Sequence, residues 1–525
     1  MARPVLDPGV AALIRSSRDA WLQHHPVAAS LWNEPVWDAA EDLSDKGLDA
    51  WIEALDTLQS RIDEQHSGSI SPVSAAALSE LQRFVNEQKL RHVKQAIYCT
   101  QAGSYLQLCA FALLPFWLQL QVDDALDTEM QGRLLYRTRQ CIEWLDFAEK
   151  RMGAAELSCT ARDKTIVSQL IDTLVSADQF TSEPVRTLID QLDRWTRMPL
   201  LETQRSTPQV GLRWYLKSVL QLEPSETVLL ETLLARIEKE IGELKRIVDE
   251  QLPVSNVDPA DADLLLCMAG IESSLRESVA RTTLDSLGAR ATILFAPPCL
   301  STLVEDALYL PPTITGKRTE TGGWLLINPN AWPPHKGPIP AQLKSYLAMV
   351  LAHELLPGHG EHLRRAANSP LSDLFGFTRS PLGLEGWGVY AEAAILHVET
   401  LHPLAARTVE VHRLRRLTAA AQFLCKTSSH ARYSRDLAGA LTALPQKERD
   451  LITVPHTSPV QMLCYAIGLI ETEQSLAEVA KQLNTTSSTQ ATLEHYLSWG
   501  PLAPKSIVDL PNAMLTHLRH HRNLV

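Results

Sequence analysis

Residues 225–251 read SETVLLETLLARIEKEIGELKRIVDEQ. Leu229, Leu230, Leu233, Leu234, Ile237, Ile241, Leu244, Ile247 and Val248 recur at steps of three and four. That spacing lines apolar side chains along one face of a helix. Pro224 precedes the segment and Pro253 follows it, as suits a helix start and stop. Residues 74–97 and 129–152 repeat the pattern. The chain up to about residue 290 therefore reads as helix after helix, and the expected fold class is mainly α.

The texture changes between Ile293 and Pro340. Prolines crowd in, and short apolar runs stand between them at Ile293–Phe295, Ala307–Leu310 and Trp324–Ile327. These read as short strands joined by turns, with Gly322 and Gly323 marking the entry to the last. After Pro340 the helical texture returns. A small β element around 293–328 inside a helical protein follows. No flexible linker divides the chain, so residues 1–525 are expected to form one structural unit. Its soft division is an N-terminal helical part, 1–290, and a second part, 291–525.

The 525 residues are 45% apolar and 21% charged, which excludes wholesale disorder. The net charge of −12 argues against nucleic acid as the main partner, because phosphate binding needs clustered positive charge. Eight cysteines without a CxxC pair are too sparse for a disulfide scaffold and read as buried thiols. The N-terminus lacks the apolar run of a secretion signal. The most apolar stretch, Tyr105–Val122, is interrupted by Gln107, Pro115, Gln119 and Gln121, and is expected to be a buried core helix. No membrane partner is expected, and the cytoplasm is the expected location.

The chemistry concentrates at 351–392, LAHELLPGHGEHLRRAANSPLSDLFGFTRSPLGLEGWGVYAE. Leu343, Tyr346, Leu347 and Val350 form the apolar face of a helix that delivers His353 and Glu354. A histidine followed by a glutamate on a helix is half of a zinc-hydrolase arrangement: the imidazole binds the ion and the carboxylate takes a proton from water. The plain form needs a second histidine four residues on, but Pro357 stands there. His359, at i+6, lies about 240° round an undistorted helix. Pro357 breaks the helical bond and Gly358 permits unusual backbone angles, which together supply the distortion needed to bring His359 round. His362 competes with His359 for the role. Glu385 is the candidate third metal ligand, and Glu392, about 10 Å further along a helix, is placed to bond a ligand imidazole from behind.

HELLPGH followed by EGWGVYAE resembles the bacterial "domain of unknown function 885" proteins, whose pattern is HExxPGHHxQ, then EGWAxYAE. Those proteins are grouped with the gluzincin metallopeptidases and are similar in plan to carboxypeptidase Taq. Residues 459–468, PVQMLCYAIG, resemble the family's PGQAxSYxxG segment, and Gly500-Pro501-Leu502 its GPLP. Ala296-Pro297-Pro298 and Trp324–Asn328 fall where the family has its short strands. The resemblance implies a large helical metallopeptidase-like fold with one zinc ion on His353, His359 and Glu385, and with Glu354 as base. It implies an oxyanion-stabilising role for Tyr465 and an edge strand at Trp324–Ile327 that binds an extended substrate. Two imidazoles and a carboxylate also suit other divalent metals.

The chain departs from the family pattern at Gly360 and His362, where the family has His and Gln. It departs again at 411–435, which holds no Asp or Glu. His430 is a candidate for the family histidine of that stretch. His456, Gln461 and Tyr390 are further candidates for supporting or substrate contacts. Arg413, Arg415 and Arg416 read as an exposed helix face, with a substrate-carboxylate clamp as the alternative. His517–Arg522 reads as a solvated tail. The expected function is zinc-dependent cleavage of an amide bond in a small peptide or peptide-like metabolite. The departures keep two alternatives open: a metal-dependent tailoring enzyme of a biosynthetic pathway that is not a peptidase, and a non-catalytic, metal-stabilised binding protein.

Overall fold

A computed structural model describes residues 6–31, 41–95, 97–123, 125–153, 159–176, 180–198, 212–222, 225–249, 263–282, 284, 287–304, 306–311, 322–332, 339–427, 431–453 and 459–510. The protein is mainly α with one small sheet. The long amphipathic segment forms the helix Glu226–Asp249, which buries Leu229, Leu230, Leu233, Ile237, Ile241 and Leu244. Its two flanking prolines lie outside the described residues. The segments at 74–97 and 129–152 become Pro72–Lys89, continued by a π-helical turn at Leu90–Lys94, and Thr128–Gly153. The apolar stretch becomes Ala102–Asp123. Among the described residues it is the one helix long and apolar enough to cross a membrane, and 67% of its apolar window is buried against other helices. Every described cysteine side chain is a free, buried thiol.

Three strands form the sheet: β1 Thr292–Phe295, β2 Ala307–Leu310 and β3 Trp324–Ile327. Their order is β1-β3-β2, with β3 parallel to β1 and antiparallel to β2. The unbroken apolar run WLLI suits the middle position, because β3 is buried on both faces. Leu325 and Ile327 join one hydrophobic core, and Trp324 and Leu326 join another. This corrects the expectation that Trp324–Ile327 is an edge strand; both of its edges are paired, and β2 is an edge instead. The Asn328 amide donates to the Asp306 carbonyl at 2.9 Å. Antiparallel pairs alternate, so the backbone groups of Ala307 and Tyr309 point to the outer side of β2.

Five helices hold the candidate site: α1 Ala341–Glu354, α2 His359–Ala366, α3 Pro381–Ala391, α4 His402–Thr427 and α5 Pro459–Leu483. α1 packs between the sheet and α4, and α3 lies along α5. Glu226–Asp249 backs α4 in a third core that includes Leu414, Leu417, Ala421 and Leu463.

Candidate metal centre

The Pro-Gly pair does more than distort one helix. It ends α1 and lets a second helix begin at His359. The amides of Leu355 and Leu356 still donate to Leu351 O, but Pro357 has no amide to continue the ladder. At Gly358 the chain doubles back so tightly that a Cβ would lie 1.7 Å from the His353 carbonyl oxygen. The Trp387 indole donates to Pro357 O at 2.8 Å and anchors the turn from α3. His353, at the end of α1, and His359, at the start of α2, thereby face each other, with ring centroids 4.6 Å apart.

Glu385 completes the cluster from the second turn of α3. Its Oε2 lies 3.5 Å from Nε2 of His353 and 3.5 Å from Nε2 of His359. Donor atoms of all three residues lie within 4.8 Å of one another. Gly388, one turn further along α3, lets the helix approach both rings. A Cβ there would lie 2.6 Å from His353 Cε1 and 2.9 Å from His359 Cε1.

Behind His353 stands a buried relay. His353 Nδ1 is 2.8 Å from Glu392 Oε1, and Arg416 Nη1 donates to Glu392 Oε2 at 2.6 Å. Glu392 opens the 3₁₀ turn Glu392–His397 that continues α3. The Arg416 guanidinium also sits 5.0 Å from the centre of the Tyr465 ring. Tyr465 Oη accepts from Gln461 Nε2 at 2.7 Å. The charges respond accordingly. Burial works against ionised Glu392, but Arg416 and His353 hold its carboxyl down at about 2. Burial opposes a charged His353 too, yet Glu385 and Glu392 push its pKa up to about 10. Burial likewise opposes ionised Glu385, whose pKa the two imidazoles nevertheless hold well below the carboxylate range.

The cluster opens on a cavity of about 290 Å³ whose lining includes His353, Glu354, His359, Glu385, Arg416 and Tyr465. Burial raises the pKa of Glu354, and the Tyr309 amide on the outer edge of β2 faces its carboxylate. Across the cavity Tyr346 donates to Asp306 at 3.0 Å and stacks on His412 with centroids 4.5 Å apart.

The remaining candidates divide. Gln461 and Glu392 line the cavity. His362 does not: its fully buried ring lies among Trp387 and Tyr496, and burial pushes its pKa down to about 3. Tyr390 is not among the residues lining the cavity; its ring packs against Trp387 with centroids 5.5 Å apart. His430, His456 and the 517–522 tail lie outside the described residues. The basic run is no uniformly exposed face, because Arg416 is half-buried in the relay while Arg413 pairs with Glu410 at 3.3 Å. Sequence reasoning took Arg416 only as part of the basic run and missed its pairing with Glu392, and it missed Asp306 and the Tyr309 amide. The signal that could have found Arg416 is the place given to Glu392 behind a ligand imidazole, since a carboxylate held in the interior calls for a cation.

The donor set fits a divalent cation. Neighbouring ligands of a tetrahedral zinc site are separated by about 3.3 Å, given metal–ligand bonds near 2.0–2.1 Å, and the two His–Glu separations are 3.5 Å. Glu385 Oε2 is buried without a hydrogen-bond partner, which is costly unless a cation claims it.

No protein-family model matches the chain, and no curated protein matches it. The fold is similar to two solved structures. One is described as a putative lipoprotein from Colwellia psychrerythraea, with a TM-score of 0.62 and 14% identity over 97% of this chain and 99% of that one. The other is described as a putative lipoprotein of unknown function from Shewanella oneidensis, with a TM-score of 0.57 and 16% identity over 96% of this chain and 99% of that one.

Proposed function

We propose that this protein is a zinc-dependent hydrolase that cleaves an amide bond in a small peptide or peptide-like metabolite. The observation that carries the reading is the convergence of His353, His359 and Glu385 at one wall of a cavity that also presents Glu354. An ion held there supplies Lewis acidity to a carbonyl and makes a water acidic enough to attack it near neutral pH. Glu354, with its pKa raised by burial, is suited to accept the proton of that water and return it to the leaving nitrogen. Tyr465, held by Gln461 and faced by Arg416, supplies a hydroxyl for developing negative charge on the substrate oxygen. The outer edge of β2, beside Glu354, takes the role expected of an edge strand and offers the Ala307 backbone groups and the Tyr309 carbonyl to an extended substrate, the Tyr309 amide being turned to Glu354.

The test is elemental analysis of protein purified without a metal-affinity tag. Wild type is expected to carry about one zinc per chain. His353→Ala, His359→Ala and Glu385→Ala are expected to lose it and His362→Ala to keep it. Glu354→Gln is expected to keep zinc while losing turnover of every amide the wild type cleaves. Zinc-free wild type that takes up none on addition overturns the reading.

A further inference from the structure

The cavity that holds the candidate metal centre carries a further carboxylate away from the metal cluster. Asp306 lines it, and so does Tyr346, whose hydroxyl donates to Asp306 Oδ2 at 3.0 Å. Tyr346 is fixed in turn between Trp332 and His412, with ring centroids 4.8 and 4.5 Å away. Among the described residues the Tyr346 hydroxyl is the one hydrogen-bond donor to the Asp306 side chain, and no cation pairs with it. Arg415 and Arg416 reach toward Tyr346 from α4, but Arg416 is held by Glu392 and Arg415 does not line the cavity. A carboxylate that faces a cavity with one hydrogen bond and no counter-ion gains when a cationic donor arrives. Two rulers place it relative to the metal. Tyr346 and His353 are two turns apart on α1, so they share one face and lie about 10 Å apart along it. The Asp306 carbonyl, which accepts from the Asn328 amide, extends the β2 ladder by one residue. Asp306 therefore stands three extended residues before Tyr309, whose amide faces Glu354, and these also cover about 10 Å.

We infer that Asp306 anchors an ammonium group of the substrate, so that the protein selects peptides or peptide-like metabolites carrying a positive charge about 10 Å from the scissile amide. The inference rests on the hydrolase reading and narrows its substrate class. The ammonium can be an amino terminus a few residues along the chain or the end of a lysine-like side chain, since the chemistry is the same. The amine of the very residue whose carbonyl is attacked lies too close to the metal to reach Asp306. An ionised carboxylate only accepts hydrogen bonds and an ammonium only donates them, so the two match without competition. Tyr346 occupies one carboxylate oxygen and leaves the other to the substrate. A substrate lying along β2 passes from Glu354 directly to this anchor.

The test uses full-length, zinc-loaded protein and straight-chain hydroxamates that end either in an ammonium group or in a hydroxyl, over a series of chain lengths. The hydroxamate reports the metal site and the far end reports Asp306. At the best length, with the two ends about 10 Å apart, the amine is expected to bind more tightly than the alcohol. The expected margin is about tenfold, the value of one good charge-assisted contact. Asp306→Asn keeps an oxygen for the Tyr346 hydroxyl and removes the charge. It is expected to weaken the amine about tenfold, to the level of the alcohol, at unchanged zinc content. Equal, zinc-dependent binding of amine and alcohol by the wild type at every length overturns the anchor and leaves the hydrolase reading standing; this comparison needs no variant. An amine preference that survives in Asp306→Asn overturns the assignment to this residue. No zinc-dependent binding by either probe overturns the hydrolase reading and the anchor with it. Tripeptidyl hydroxamates with a free amino terminus and neutral side chains, set against N-acetylated ones carrying lysine, then show which ammonium group is preferred.

Discussion

The imidazole of His353 is fixed by Glu392, whose Oε1 lies 2.8 Å from Nδ1. Because Nδ1 is engaged there, Nε2 is the nitrogen turned toward Glu385 and His359. Carboxylates in this position set the tautomer and the basicity of a ligand imidazole, and their loss typically weakens metal binding ten- to a hundredfold. Glu392→Gln is therefore expected to lower zinc affinity by about that factor, read by competition with a chromogenic chelator. Arg416→Met should act in the same direction, since it strips the buried Glu392 of its cation. Unchanged affinity in both variants would show that the relay does not serve the site.

Gly388 gives a sharper geometric test. A Cβ at this position lies 2.6–2.9 Å from atoms of both imidazoles, so one methyl group must displace at least one ring. Gly388→Ala is expected to weaken zinc binding by at least about tenfold, on the scale of losing one ordering contact. Gly439→Ala is the control. That glycine lies exposed in the helix Ala431–Leu441 with nothing within 4 Å of the added atom. It should leave zinc content untouched and raise stability by about 0.5–1 kcal/mol through helix propensity. Chelator titration and urea melts on the same two proteins measure both effects.

A buried ion pair ties the N-terminal helices to the loop that carries Arg379. Arg83 Nη2 lies 2.8 Å from Glu80 Oε1 and donates to Thr378 Oγ1 at 2.5 Å, and Thr378 donates back to Glu80 at 2.7 Å. Burial raises the pKa of Glu80, so removal of its cation strands a carboxylate in the core. Arg83→Met is expected to cost about 3–5 kcal/mol in urea denaturation, and Glu80→Gln/Arg83→Met to recover at least half of that. A loss below about 1 kcal/mol would mean that water reaches the pair.

How much of this is readable from the residues alone depends on whether the governing contacts are local. The helix at Glu226–Asp249 is legible because its apolar period is a property of successive residues. The placing of His353, Glu354 and Glu385 on helices is legible for the same reason. The fate of His359 and His362 turns on whether Pro357 bends a helix or ends one, and that is settled by Trp387, 30 residues away, bonding the Pro357 carbonyl. The order of the strands is less legible still. Three short apolar runs look alike, and only packing on both faces makes Trp324–Ile327 the middle one. Arg416 reads as part of a surface run because nothing local distinguishes it from Arg413; its partner Glu392 lies 24 residues upstream on another element.

Glu41 sets an expectation for pH. It is 3% exposed, its Oε1 accepts from the Val27 amide at 3.1 Å, and its backbone carbonyl accepts from the Trp144 indole. Burial, only partly offset by Arg137, raises its pKa from 4.5 to about 7. The folded pKa lies above the unfolded one, so the folded state binds this proton more tightly. The associated stability is present in full below about 4.5 and is lost as pH rises through about 7. Over that window the loss is on the order of 3 kcal/mol. Glu41→Gln keeps the oxygen that accepts from Val27 and cannot ionise. Relative to wild type it should gain stability steadily between pH 5 and pH 7 and then level off, as read from urea midpoints at half-unit steps. A constant difference across that range would mean that Glu41 is ionised in the folded protein throughout, with Arg137 outweighing the cost of its burial.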